Sequence, residues 1–151
     1  MHRRELLARS ASVAGLLAGL GVLPGAAHAA WNTAAFEAKS VAEVVKALGV
    51  SAPVESKDVT LTGPEIAENG AVVPLALSTS LPGVKRLLVL IEKNPSTLAA
   101  SFDVSDAIEP NFSLRVKMAQ TCNVYAVAIT ADNKVLFAQK EIKVTLGGCG
   151  G

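Results

Sequence analysis

Aromatic side chains make up 4% of the 151 residues, histidine occurs twice, and there are two cysteines and one tryptophan. Both histidines, His2 and His28, fall in the leader-like opening, so cleavage after residue 29 leaves a chain with no imidazole. That excludes histidine general acid–base catalysis and His-ligated metal centres from the mature protein, and no cofactor or metal is expected in it. The same cut removes Arg3, Arg4 and Arg9 against Glu5, leaving 11 basic and 12 acidic residues, a balance that argues against a nucleic-acid binder. There is no C-x-x-C, the dithiol motif of a thiol oxidoreductase, and no Cys…Trp…Cys spacing of the kind that pins true immunoglobulin domains. Internal repeats and long linkers are also missing, and low complexity is confined to the last five residues.

The first 29 residues have a basic start, an apolar stretch from Ser10 to Ala27 and a small-residue tripeptide, Ala27-His28-Ala29, suited to a signal peptidase. They read as a secretory signal peptide. A membrane anchor is the competing reading, but the stretch barely reaches spanning length and is interrupted by Gly15, Gly19, Gly21, Pro24 and Gly25. Arg3-Arg4 ahead of a weakly hydrophobic, glycine-rich segment resembles a twin-arginine leader, which exports proteins already folded. A periplasmic location is expected.

Residues 30–146 form the expected folded domain. Asn32 to Gly49 reads as helix, with Phe36, Val41, Val44, Val45 and Leu48 largely at helical spacing. Ser40 and Glu43 make a capping-box pair at which the helix can restart, and Gly49 is placed to end it. From Pro53 the pattern changes to short stretches rich in Val, Leu and Ile: Asp58 to Leu61, Ala71 to Thr79, Lys85 to Glu92, Leu98 to Val104, Ser113 to Met118, Val124 to Thr130 and Val135 to Leu146. Seven strands at this spacing, separated by turns such as Leu81-Pro82-Gly83 and Ala131-Asp132-Asn133, predict a mainly β, immunoglobulin-like antiparallel β-sandwich with an N-terminal helix. The run Leu87-Leu88-Val89-Leu90-Ile91 has no polar alternation and must be covered on both faces. A second chain is the expected cover, with the N-terminal helix as the alternative.

Residues 147–151 read Gly-Gly-Cys-Gly-Gly. Four glycines in five residues favour neither strand nor helix, because glycine loses the most backbone entropy on ordering. Cys149 is therefore expected on a flexible arm, with Gly147, Gly148, Gly150 and Gly151 as its hinge. Four extended residues beyond Thr145 would carry the sulfur roughly 14 Å from the domain. No helix N-terminus or neighbouring cation activates the thiol locally. A mobile, accessible, unactivated thiol suits covalent carriage of an intermediate to partner enzymes. The alternatives are a disulfide to Cys122, a cross-link between chains, and a frayed end without a role. Cys122, at the entry to a strand, reads as a small half-buried core residue.

The terminal Gly147-Gly148-Cys149-Gly150-Gly151 resembles the signature of the SoxY family, the sulfur-carrier subunits of the periplasmic Sox thiosulfate-oxidising system. Further blocks agree in order: Pro64 to Pro74, Glu92-Lys93-Asn94-Pro95, Arg115 to Gln120, and Lys140 to Thr145. The resemblance implies a non-catalytic carrier that pairs with a smaller SoxZ-like subunit, with sulfur intermediates attached to Cys149. It also implies three kinds of partner: a SoxAX-like haem enzyme joining thiosulfate to the cysteine, a SoxB-like hydrolase releasing sulfate, and in many systems a sulfur dehydrogenase. Against it stands a periplasmic structural or adhesive β-sandwich module whose terminal cysteine forms a disulfide, which Cys122 could supply.

Overall fold

The computed structural model describes residues 32–147. The signal peptide expected over residues 1–29, together with Gly148, Cys149, Gly150 and Gly151, lies outside the described residues.

Two short helices open the domain, α1 (Thr33–Glu37) and α2 (Val41–Leu48). The Asn32 side chain accepts from Ala35 N at 3.0 Å to cap α1. The chain leaves helical geometry at Ala38, then restarts where Ser40 Oγ accepts from Glu43 N at 3.2 Å. Glu43 reaches back to accept from Lys39 N at 2.7 Å, one residue earlier than in a standard capping box. Gly49, at φ 65°, ends α2 in the left-handed conformation that suits glycine.

The strands are β1 (Val54–Glu55), β2 (Val59–Thr62), β3 (Ile66–Ala67), β4 (Val73–Thr79), β5 (Val84–Ile91), β6 (Leu98–Asp103), β7 (Asn111–Val116), β8 (Cys122–Thr130) and β9 (Val135–Val144). All seven expected strands are present. They form an immunoglobulin-like sandwich of two sheets, one ordered β1-β9-β8-β5-β6 with β3 also on β9, the other β2-β4-β7. The long strands pair antiparallel as expected, but the two-residue β1 and β3 run parallel to β9 and were not predicted. Two residues are too few to show a period of two, and only the neighbouring strand makes them strands. The expected hairpin joins β8 to β9, with Asn133 at φ 61°.

β5 explains the third layer. Leu87, Val89 and Ile91 fill the core between the sheets with Met118, Val124 and Ile142. Leu88 and Leu90 point the other way and pack with Ala35 and Val44 of the helices. Every residue of this run is at most 1% exposed. The expectation that a second chain covers this strand is corrected: the N-terminal helices do so, and burying each such side chain contributes about 1.5–3 kcal/mol. Among the described residues no helix is long and apolar enough to cross a membrane.

Candidate functional site

β9 is the strand that delivers the Gly-rich segment, and its end is tied down by residues far away in sequence. Val144 N donates to Thr121 Oγ1 at 2.8 Å. Thr145 N donates to Ala67 O at 3.1 Å, and Thr145 Oγ1 to Glu68 O at 3.0 Å. Leu146 O accepts from Gly70 N at 2.7 Å, while Gly70 O accepts from Met118 N at 2.7 Å, so one glycine links the root of the Gly-rich segment to a residue of the core. The segment after β7 is held in turn by Asn94, whose Nδ2 donates to Lys117 O at 2.7 Å and whose Oδ1 accepts from Ala119 N at 3.0 Å. Gly147 rests on that segment: a Cβ added there would lie 2.5 Å from Ala119 O. Gly147 thus has a second reason to be glycine besides the expected hinge role, namely close approach to a pinned backbone carbonyl.

A cleft of about 550 Å³ opens at this root, lined by Gly147, Glu92, Lys93, Ala119, Glu141 and the Gln120–Asn123 stretch. Cys122 sits in its wall at 4% exposure, more buried than the half-buried position expected. Burial is the main cause that raises its thiol pKa above the ordinary value; the Glu92 charge adds to this, and backbone N–H groups of Lys93 and Glu92 oppose it. Cys122 is therefore held as the neutral thiol, a poor nucleophile. Cys122→Ala is expected to cost about 1–2 kcal/mol. In the folded wild type at pH 8, iodoacetamide should label Cys149 well before Cys122, and comparable rates would contradict this. Because the folded state holds the thiol proton more tightly than the unfolded chain, Cys122's contribution to stability is lost as the pH rises through and above the ordinary thiol range.

Of the expected site residues, only Gly147 falls among the described residues. The sequence did not single out the residues that tether the root, Gly70, Asn94, Thr121 and Thr145. Three of the four nevertheless lie inside the blocks that carried the family resemblance, and the fourth, Thr121, comes directly after the Arg115 to Gln120 block. Blocks separated by up to about 80 residues meet around one point: the end of β9.

A family model for sulfur oxidation protein SoxY matches residues 44–149, a span that includes the tethering residues and Cys149. The chain belongs to the SoxY family. Among solved structures, the sulfur carrier protein SoxY from Chlorobium limicola f thiosulfatophilum is similar at 38% identity and a TM-score of 0.62, covering 68% of this chain and 93% of that one. A superoxide reductase (neelaredoxin) from Ignicoccus hospitalis is similar at 18% identity and a TM-score of 0.50, covering 57% of this chain and 78% of that one, a likeness of fold alone. No curated protein matches. The distant blocks that tie this chain to the SoxY family converge on the end of β9, where they hold the root of the Gly-rich segment in place.

Proposed function

We propose that this chain is a non-catalytic covalent carrier in thiosulfate or sulfur oxidation, with intermediates attached to Cys149 and the adjoining glycines acting as the hinge. The observation that carries this reading is the tethered root: hydrogen bonds with residues 67–70 and 121 hold Val144, Thr145 and Leu146, immediately before a segment of four glycines and one cysteine. A rigid platform leading into residues with few steric limits suits a thiol that several enzymes must take in turn.

The chemistry then belongs to the partners. A SoxAX-like haem enzyme would remove two electrons as the thiol loses its proton and a sulfur–sulfur bond forms between Cys149 Sγ and the terminal sulfur of thiosulfate. A SoxB-like hydrolase would deliver water to the sulfonate sulfur; the bond to the sulfane sulfur breaks, sulfate leaves, and a persulfide stays on Cys149. A sulfur dehydrogenase is a further candidate for oxidising that persulfide. The domain partition that goes with this reading is a twin-arginine signal peptide over residues 1–29, the carrier domain over 30–146 and the arm over 147–151. The working location is the periplasm, and the working form is a heterodimer with a SoxZ-like subunit.

Intact-mass measurement of protein produced with thiosulfate present tests the proposal. Sulfur-containing adducts confined to Cys149 are expected. A uniform loss of two mass units, from a Cys122–Cys149 disulfide, would overturn it in favour of a structural module.

A further inference from the structure

Cys122 and Gly147 line the same cleft of about 550 Å³, and Cys149 follows Gly147 by two residues. The start of that short path is fixed relative to Cys122. Thr121, its neighbour in sequence, holds Val144 N at 2.8 Å, and Gly147 rests on Ala119, where an added Cβ would stand 2.5 Å from the carbonyl oxygen. Ala119 precedes Cys122 by three residues and the backbone bends between them, so the Cα atoms of Gly147 and Cys122 lie on the order of 10 Å apart. Two residues of chain add up to about 7 Å of reach, and a disulfide joins Cα atoms about 5.5 Å apart. The two sulfurs are therefore within bonding range of each other without any movement of the domain.

A carrier thiol that several enzymes must reach is equally open to small oxidants. Once oxidised to the sulfenic acid it goes on to sulfinic and sulfonic acids, which thiols do not reverse, unless a second thiol captures it first. We propose that Cys122 is the resolving cysteine of Cys149, a site of reversible oxidative modification that keeps the carrier thiol recoverable after attack by hydrogen peroxide. The inference rests on the carrier reading for the reason Cys149 needs recovery. In the first step the Cys149 thiol takes one oxygen from peroxide, giving the sulfenic acid and one water. In the second, Cys122 Sγ bonds to Cys149 Sγ and the sulfenic hydroxyl leaves with the Cys122 proton as a second water. The two electrons lost by the thiol pair are those gained by the peroxide, and a dithiol reductant returns both thiols. Burial holds Cys122 protonated, and exchange with a sulfur–sulfur bond needs the thiolate, so intermediates joined to Cys149 survive beside it. Sulfenic acid condenses with a thiol, and the short tether keeps that thiol at high effective concentration.

The test treats the full chain, in complex with its smaller subunit and free of thiosulfate, with hydrogen peroxide at pH 7.5, followed by intact mass under denaturing conditions and peptide mapping. Wild type is expected to lose about two mass units through a Cys122–Cys149 disulfide, and dithiothreitol should restore both its mass and its thiosulfate-dependent turnover. Untreated Cys122→Ala should turn over like wild type. After peroxide it should instead gain about 32 and 48 mass units on Cys149 and recover at least tenfold less turnover with dithiothreitol. Cys122→Ser, which keeps the side chain's size, should behave like Cys122→Ala, and melting curves of both establish that they are folded. Wild type that gains oxygen on Cys149 without forming the disulfide overturns the proposal. So does a cross-link between two Cys149 residues as the main product, or full recovery of Cys122→Ala. Untreated Cys149→Ser separates the two readings: turnover at the wild-type rate there removes the carrier role, whereas an inactive Cys149→Ser beside a Cys122→Ala that recovers fully removes the resolving role alone.

Discussion

Replacing Cys149 with serine is expected to reduce thiosulfate-dependent turnover to the background rate of the reconstituted enzymes, with the melting temperature unchanged. The effect should be all or none because the proposed intermediates are joined through sulfur–sulfur bonds, which a hydroxyl cannot form. The serine oxygen is also a far weaker nucleophile at neutral pH, and nothing near it in the sequence would act as its base. Stability should change by no more than about 0.5 kcal/mol, since the substitution lies outside Val144, Thr145 and Leu146, whose hydrogen bonds tether the root. Oxygen or electron uptake with thiosulfate, measured beside a melting curve, checks both halves. Turnover at the wild-type rate would remove Cys149 from the mechanism.

A second large effect should separate the glycines by function. Gly147→Ala places a methyl group 2.5 Å from the carbonyl oxygen of Ala119, and that oxygen belongs to backbone that Asn94 holds at 3.0 Å through Ala119 N. Neither side yields cheaply, so the expected response is that the root lifts and the Gly70 to Leu146 hydrogen bond weakens. The expected cost is about 1–3 kcal/mol, or a fall of roughly 3–10 °C in melting temperature. Gly150→Val should leave melting unchanged and slow turnover by every partner, because a β-branched side chain stiffens and widens the arm where it passes an enzyme wall. Alkylation of Cys149 by a small reagent should proceed at the wild-type rate in Gly150→Val. If the two variants melt alike, close packing at Gly147 is unimportant; if Gly150→Val turns over normally, the outer glycine does not serve as a hinge.

Much of the fold was legible in local pattern. Alternation in Arg115-Val116-Lys117-Met118 indicates a strand with one wet face, and Val116 and Met118 are indeed buried while Arg115 and Lys117 are exposed. Ser40 and Gly49 mark the ends of α2 because capping depends on residues three or four apart. The break at Ala38 was not legible as a full helix end, since Ala favours helix and the chain leaves it there to let Thr97 N donate to Ala38 O at 3.3 Å. The candidate site was legible in part: the cysteine and its glycines stand out by composition, whereas no local pattern marks Asn94 as a tether. Its side chain matters through two backbone groups more than twenty residues away, and no periodicity reports that.

By itself the sequence determined the seven main strands, the caps of α2 at Ser40 and Gly49, the turn at Asn133 and the glycine-rich cysteine segment, because side-chain period, φ preference and backbone entropy act over a few residues. Tertiary structure alone decided which face of β5 the helices cover, that β1 and β3 join β9 in parallel, that Cys122 is buried in the wall of the cleft, and that Gly70, Asn94, Thr121 and Thr145 meet at one root. Those outcomes depend on pairings between residues twenty to eighty positions apart. Their free energy comes from excluding water between surfaces and from satisfying backbone groups that only the folded chain brings together.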